Sequence, residues 1–172
     1  TTVHCENDCV INYFRNLFIK EGKIAPIYHA LSRPEECEAE AVNRMISLAS
    51  VAGNAPLYIV HVSCEKSMEH IIKAQRQGEN VMAETCPQYL FLDEDKYREK
   101  DMHGLKYIMS PPLRKKENQN LLWNNISNNN IQVVATDHCP FDFKGDKQRG
   151  KDDFTKCPNG GPGIETRIPL MF

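Results

Sequence analysis

The sequence predicts an α/β protein, more narrowly part of a (β/α)8 barrel, and three observations support this prediction. Short apolar runs typical of buried strands alternate with amphipathic stretches typical of helices. Two of these runs end in histidine, at His4 and His61, and a third ends in aspartate, at Asp137. The strands are only moderately apolar and the longer loops follow their C-terminal ends, which favours a barrel over a doubly wound sheet.

Elements of both kinds can be assigned in order along the first half of the chain. Apolar residues recur at helical spacing between positions 10 and 18, and Gly22 follows as a stop signal. Ser32-Arg33-Pro34-Glu35 has the spacing of a capping box. The predicted elements are therefore a strand over 1–4, a helix over 8–21, a helix from the capping box to about Ala52, and a strand over 57–61.

The alternation continues in the second half. Ser63 is placed to cap a helix that stops at Gly78, because it directly follows the strand. The remaining predictions are a strand over 80–84, a charged solvated excursion over 93–104, a short extended piece over 106–109, a helix over 117–129, and a strand over 131–136. A long loop rich in glycine, proline and charge then continues through Gly163, and such loops are usually functional lids or disordered.

Composition limits the partners and the compartment. The chain has 172 residues, with 21 basic and 23 acidic side chains and a net charge of −2, which argues against nucleic acid or an anionic membrane as the main partner. No apolar run approaches the ~20 residues that span a bilayer. The seven cysteines form no Cys-x-x-Cys pair, which predicts a reducing cytoplasm. Since no Met precedes Thr1 and a strand begins at once, we expect an internal segment of a longer protein.

The polar residues at the strand ends are candidates for a metal centre. His4, His61 and Asp137 have the residue types of a hydrolytic metal site, although each also has a structural alternative. The histidines could be buried and bonded to the backbone, and the aspartate could cap a turn. Glu84 ends the third strand and is either a supporting group or a salt-bridge partner. His138 follows Asp137 and would point the opposite way.

Several short motifs together resemble one family. They occur in this order: His4-Cys5-Glu6-Asn7, Ser32-Arg33-Pro34, Tyr58-Ile59-Val60-His61-Val62-Ser63, Glu84-Thr85-Cys86-Pro87-Gln88-Tyr89, Ser110-Pro111-Pro112-Leu113-Arg114, Asp137-His138-Cys139-Pro140-Phe141 and Pro158-Asn159-Gly160-Gly161-Pro162-Gly163. This set closely resembles dihydropyrimidinase and D-hydantoinase, of the cyclic amidohydrolase branch of the amidohydrolase superfamily. The likeness runs along the whole chain.

The resemblance implies a fold, a reaction and a cofactor. Residues 1–172 would form about the fifth to eighth strands of a metal-dependent hydrolase barrel, and the earlier strands and a small β-sandwich would lie outside them. The enzymes open dihydropyrimidines or hydantoins, small cyclic imides or ureides, to N-carbamoyl amino acids through metal-activated hydroxide. They usually hold a binuclear zinc centre and are usually tetrameric.

The resemblance also assigns roles to individual residues. His4 and His61 match the histidines that bind the second metal ion, and Asp137 matches the ligand that also acts as general base. Ser110 and Asn159 match positions that hold the cyclic imide through backbone groups. The family's His-x-His pair and its bridging carboxylated lysine belong to earlier strands and are absent from these residues. The segment alone therefore supplies half of a metal centre.

Three other interpretations stay open from the sequence. Allantoinase and dihydroorotase share an Asp-His-x-Pro signature, although Cys139-Pro140-Phe141 and the Asn159-Gly160-Gly161 loop favour the hydantoinase side. Collapsin-response mediator proteins resemble dihydropyrimidinases but are non-catalytic scaffolds that have lost metal ligands. The segment could also be only a structural piece, because half a barrel exposes sheet edges and apolar helix faces.

Overall fold

Four short parallel strands form one sheet in the order in which they occur along the chain. The computed structural model describes all residues, 1–172. The strands are β1 Thr2–Val3, β2 Leu57–Ile59, β3 Val81–Thr85 and β4 Val133–Val134. Every neighbouring pair is parallel. A sequential order without reversal is the arrangement of a barrel wall, whereas a doubly wound sheet reverses direction at a switch point.

Helices provide the connections between these strands. The α-helices are α1 Asp8–Lys20, α2 Ile27–Leu31, α3 Glu35–Val51, α4 Glu65–Arg76, α5 Pro87–Phe91, α6 Glu117–Ser127 and α7 Ile164–Met171. Four short 3₁₀ helices occupy Glu94–Arg98, His103–Tyr107, Lys147–Gly150 and Phe154–Lys156. The predicted long helices are confirmed to within two residues, whereas α2, α5 and α7 were not predicted. None of the helices combines the length and the apolar character that crossing a membrane requires.

Two predicted helix caps are wrong, because the hydroxyls of both serines make other hydrogen bonds. The Ser32 hydroxyl donates to the carbonyl oxygen of His29 at 2.8 Å, so Ser32 ends α2 and does not cap α3. Ser63 bonds to a carboxylate of α3, described below. The first turn of α4 is capped from another helix instead: the side-chain oxygen of Asn118 accepts the backbone N–H of Glu65 at 2.8 Å.

The stretch 93–109 is packed against the core, which contradicts the prediction of a solvated excursion and an extended piece. It forms two 3₁₀ helices, and the side chains of Tyr97 and Leu105 are completely buried. Gly104 lies so close to the backbone of Tyr97 that a β-carbon would collide with it. The tyrosine hydroxyl accepts the backbone N–H of Leu113 at 2.9 Å. Because Tyr97 and Leu105 stand among charged residues in the sequence, their burial was not predicted.

His29 also lies in the core. Its Nε2 donates to the carbonyl oxygen of Met109 at 2.7 Å, and Tyr97 packs beside its ring. Burial, together with the charge of Arg33, lowers the pKa of His29 from 6.5 to about 3. The residue is therefore a neutral hydrogen-bond donor that joins α2 to the segment leading to Ser110.

We expect His29 to make the fold sensitive to acid. Because its pKa is lowered in the folded state, the unfolded chain takes up the proton first as the pH falls below 6.5. The free energy of unfolding should therefore decrease from about pH 6.5 towards about pH 3. His29→Gln keeps a donor for Met109 but cannot titrate, so its stability should fall less over this range in denaturant titrations of the protein.

His103→Gln is the matched control, because His103 is exposed and should leave the acid dependence unchanged. Parallel losses of stability in the wild type and in His29→Gln would show that His29 does not control the response.

Candidate functional site

His4 and His61 meet at the C-terminal edge of the sheet. Because β1 and β2 are parallel with Val3 opposite Ile59, the residues after each strand emerge side by side. The Nδ1 of His4 lies 2.9 Å from the Nε2 of His61, and the two rings are nearly perpendicular. The two strand-end histidines therefore direct one nitrogen each at a shared point.

The outer nitrogen of His4 is held by a carboxylate. Its Nε2 lies 3.0 Å from the Oε2 of Glu6, and the same oxygen accepts a hydrogen bond from Arg33 at 2.6 Å. Burial alone would raise the pKa of Glu6, but the hydrogen bond with His4 and the charge of Arg33 outweigh it and lower the pKa. An ionised carboxylate on one ring nitrogen fixes the tautomer and leaves the other nitrogen available as a ligand.

His61 is buried and stays neutral near physiological pH. Burial lowers its pKa, the charge of His4 lowers it further, and the carboxylate of Asp137 acts in the opposite direction. Its Nδ1 has no hydrogen-bond partner. A neutral imidazole is the form that coordinates a metal ion, so the local electrostatics keep His61 in that form.

The backbone at His61 and at Asp137 is left-handed. The φ angles are +43° and +46°, in the region that non-glycine residues seldom occupy. Such conformations cost about 1–3 kcal/mol each and concentrate at functional sites. Both residues directly follow the strand-like runs, so this turn directs each side chain away from the strand path.

Asp137 does not complete a three-residue cluster with the histidines. The structure contains no group of three or more His, Cys, Asp or Glu side chains spaced to hold a metal ion. β3 separates β2 from β4, which puts the Asp137 strand roughly 10 Å from the His61 strand. The carboxylate of Asp137 is still close enough to raise the pKa of His61, although burial and the charge of His4 outweigh it and lower the pKa. The structure thus brings two of the three candidates together and places the third nearby.

Glu84 supports His61 from the neighbouring strand. Its Oε2 accepts a short hydrogen bond from the hydroxyl of Tyr58, and its Oε1 accepts the backbone N–H of His61 at 3.4 Å. Burial and this carboxylate raise the pKa of Tyr58, so the phenol stays protonated. Of the two alternatives for Glu84, the structure favours the supporting group, since its partners are a phenol and an amide.

Ser110 and Asn159 contact each other, although they lie 49 positions apart in the sequence. The hydroxyl of Ser110 donates to the side-chain oxygen of Asn159 at 2.8 Å. The glycine loop continues past β4, where the backbone N–H of Gly163 donates to the Nδ1 of His138 at 3.1 Å. Gly160 is required there, because a β-carbon would collide with the backbone of Cys139. The loop of Asn159 therefore packs between the Ser110 segment and the end of β4.

A buried ion pair fixes the turn after His61. Arg114 donates from Nη2 to the Oε2 of Glu38 at 2.9 Å and from Nε to the hydroxyl of Ser63 at 2.9 Å. The backbone N–H of Ser63 donates to the Oε1 of Glu38 at 3.0 Å, and its hydroxyl donates to the other carboxylate oxygen. The guanidinium also donates to the carbonyl oxygen of Arg33. This network links α3, the strand end of His61 and the segment after Ser110.

The sequence did not reveal these supporting residues. Glu6 stood beside a candidate ligand, and the motifs containing Arg33 and Arg114 were recognisable, but no local pattern assigned them partners. Glu38 is one of several acidic residues at the start of α3, and only its burial distinguishes it. Its partner Arg114 lies 76 positions away in the sequence, and the two meet only because the helices pack on the sheet.

Comparisons with known proteins agree with this geometry. No protein-family model matches the chain. A D-phenylhydantoinase from Escherichia coli O81 (strain ED1a) is 54% identical over all 172 residues, and the chain spans 37% of its length. The crystal structure of dihydropyrimidinase from Brevibacillus agri NCHU1002 has a TM-score of 0.98 at 49% identity, covering 99% of this chain and 37% of that one.

A more distant structure shares the fold alone. Dihydroorotase from Campylobacter jejuni has a TM-score of 0.66 at 13% identity, covering 99% of this chain and 39% of that one. The chain is therefore an α/β segment of the (β/α)8 hydrolase type, as the sequence predicted. More narrowly, it is similar along its whole length to a segment of D-hydantoinases and dihydropyrimidinases, which confirms the resemblance seen in the motifs.

We expect Arg114→Met to destabilise the protein strongly, because it leaves the carboxylate of Glu38 buried without its guanidinium. Breaking such a pair from one side costs about 3–5 kcal/mol of unfolding free energy. The double substitution Glu38→Gln with Arg114→Met should recover part of this loss, because no buried charge remains. Chemical denaturation monitored by circular dichroism measures both values.

Arg44→Met provides the control, since Arg44 pairs with Glu40 on the exposed face of the same α3 helix. Loss of this exposed pair should cost less than about 1 kcal/mol. Equal costs for Arg44→Met and Arg114→Met would contradict the assignment of Arg114 as the central partner.

Proposed function

We propose that this chain is the later part of the barrel of a cyclic amidohydrolase that opens dihydropyrimidines or hydantoins to N-carbamoyl amino acids. The observation that carries the proposal is the 54% identity to a D-phenylhydantoinase along the full length of the chain. Because the chain spans 37% of that relative, the activity belongs to a longer protein. The earlier barrel strands and a small β-sandwich would lie outside residues 1–172.

The paired histidines fit one half of a binuclear metal centre, and we assign His4 and His61 as ligands of one ion with Asp137 as a further ligand. Two nitrogens converge at 2.9 Å, one ring is braced by a carboxylate and the other is kept neutral by burial. Imidazole nitrogen and carboxylate oxygen suit zinc, which we propose as the metal. When bound, the metal ions polarise the amide carbonyl and lower the pKa of water.

Asp137 is the residue we assign as general base. Its backbone is left-handed, and it follows β4 at the same edge of the sheet as the histidines. In ring opening it accepts the proton of the attacking water and delivers a proton to the leaving ring nitrogen. A carboxylate suits both steps, because one oxygen could bind the metal ion while the other carries the proton.

Ser110 and Asn159 are the residues we assign to the substrate. They come from two segments that pack against each other, and they are joined by a direct hydrogen bond. Backbone N–H and C=O groups beside them match the alternating donors and acceptors of a cyclic imide or ureide.

All seven cysteines are free thiols, which is consistent with a cytoplasmic enzyme. We also propose that the full protein is a homo-oligomer, a tetramer by family resemblance.

Asp137→Asn should abolish ring opening while the fold is retained. Asparagine tolerates the left-handed backbone and has the same shape, but it cannot take up a proton. We expect kcat to fall by about 10²–10⁴-fold, the contribution of general acid–base catalysis. The measurement is hydrolysis of dihydrouracil and phenylhydantoin by the full-length protein, with metal content determined on the same samples.

Asp152→Asn is the control, because Asp152 is exposed on the loop after β4. An active Asp137→Asn variant would refute the assignment of the base. A wild-type protein that binds metal but opens neither ring would point to allantoinase or dihydroorotase activity. A wild-type protein without metal or activity would support the non-catalytic scaffold.

Glu6→Gln should weaken metal binding without removing a ligand. The amide cannot hold the outer nitrogen of His4 as a carboxylate does, so the ring loses its fixed orientation and basicity. Substitutions of such supporting carboxylates typically cost 10–100-fold in metal affinity. Competition with a chelator measures this affinity in the full-length protein. Glu69→Gln is the control, because Glu69 lies on the exposed face of α4, and its metal affinity should match that of the wild type. An unchanged metal affinity in Glu6→Gln would contradict the role of Glu6.

A further inference from the structure

Lys147 is a buried cation whose hydrogen bonds all go to backbone. Its side chain is 2% exposed, and it lies in the long charged loop that follows β4. The ammonium donates to three carbonyl oxygens: those of Ile108 at 2.7 Å, Pro158 at 2.8 Å and Gly160 at 2.7 Å. An ammonium has three N–H donors, so its hydrogen-bonding capacity is filled.

The acceptors identify what Lys147 holds together. Pro158 and Gly160 flank Asn159, while Ile108 lies two positions before Ser110. The backbone N–H of Gly160 also donates to the carbonyl oxygen of Ile108, at 3.0 Å. One ammonium therefore joins the two segments that carry the proposed substrate-binding residues.

A lysine buried without a carboxylate partner is costly, because desolvation disfavours the charged form and lowers the pKa of Lys147. The ring of Phe141 lies 5.6 Å from the ammonium and offers its electron-rich face. No negatively charged side chain pairs with this lysine, so the carbonyl dipoles carry the compensation. Such an arrangement is not expected in a solvated loop, and it ties down the backbone carbonyls on both sides of Asn159.

We propose that Lys147 is a positioning residue that locks residues 158–160 against Ile108, so that Ser110 and Asn159 present one preformed recognition surface to the cyclic amide. This inference rests on the proposed function, because it assigns Lys147 to the substrate side of that site. Preformed contacts that bind the ground state and the transition state equally affect KM more than kcat. Lys147 itself touches no proposed metal ligand in these contacts, so metal content should not depend on it.

The test compares Lys147→Met and Lys147→Arg in the full-length protein. Methionine keeps most of the length and removes the charge and all three donors, whereas arginine keeps the charge with a wider, planar head. We expect KM for dihydrouracil and phenylhydantoin to rise about tenfold or more in Lys147→Met, with a smaller rise in Lys147→Arg and kcat near the wild-type value. Metal content should match the wild type in both variants.

Hydrogen exchange provides a readout that does not depend on catalysis. The amide of Gly160 should exchange faster in Lys147→Met, because its bond to Ile108 loses the support of the ammonium. Lys151→Met is the matched control, since Lys151 is exposed four positions further along the same loop. This control should leave KM, metal content and exchange unchanged.

Failure of the inference can be told apart from failure of the proposed function. A wild-type protein without metal and without ring opening overturns the proposed function. An active wild type whose Lys147 variants keep the wild-type KM and Gly160 exchange overturns the positioning role. Equal falls in kcat and in metal content, together with equal rises in KM, in both variants also overturn it, because they indicate general structural damage. If Lys147→Met does not fold, the KM of Lys147→Arg decides.

Discussion

A guanidinium and a carboxylate that are both removed from water must satisfy each other, and in this chain Arg114 and Glu38 do so where three segments meet. Their shared partner, Ser63, lies two positions after His61, and Arg114 lies four positions after Ser110. A buried pair of this kind is weak evidence for stability but strongly constrains geometry, because its bonds tolerate little displacement. The distance between the histidine side and the loop side of the site therefore depends on it.

Two kinds of polar contact build the site around this pair. On the histidine side, charged groups support the rings, with Glu6 and Arg33 bracing His4. On the loop side, Lys147 holds main-chain carbonyls, and Ser110 meets Asn159 directly. The first arrangement controls the orientation of the His4 ring, whereas the second controls the shape of a backbone surface. The proposed ring opening would require both properties at one sheet edge.

The fold and the strand-end residues were predictable because they depend on local pattern. Apolar runs and helical periodicity located β2, β3 and the long helices, and the parallel sheet followed from their alternation. Tyr97 was wrongly predicted to be solvated and the burial of His29 was not predicted, since burial of isolated aromatic residues in polar stretches is decided by tertiary packing. Glu38 and Lys147 were missed for the same reason: their sequence neighbours are ordinary charged residues, and only long-range contacts give them a role.

The left-handed backbone of His61 and Asp137 has a consequence for protein engineering. A common route to thermostability replaces non-glycine residues at positive φ with glycine or asparagine, because the strain is then relieved. At these two positions, that rule would select substitutions that remove an imidazole and a carboxylate from the sheet edge. An optimisation guided only by backbone energetics would thus remove two of the proposed metal ligands, so both positions should be held fixed in any stabilising library.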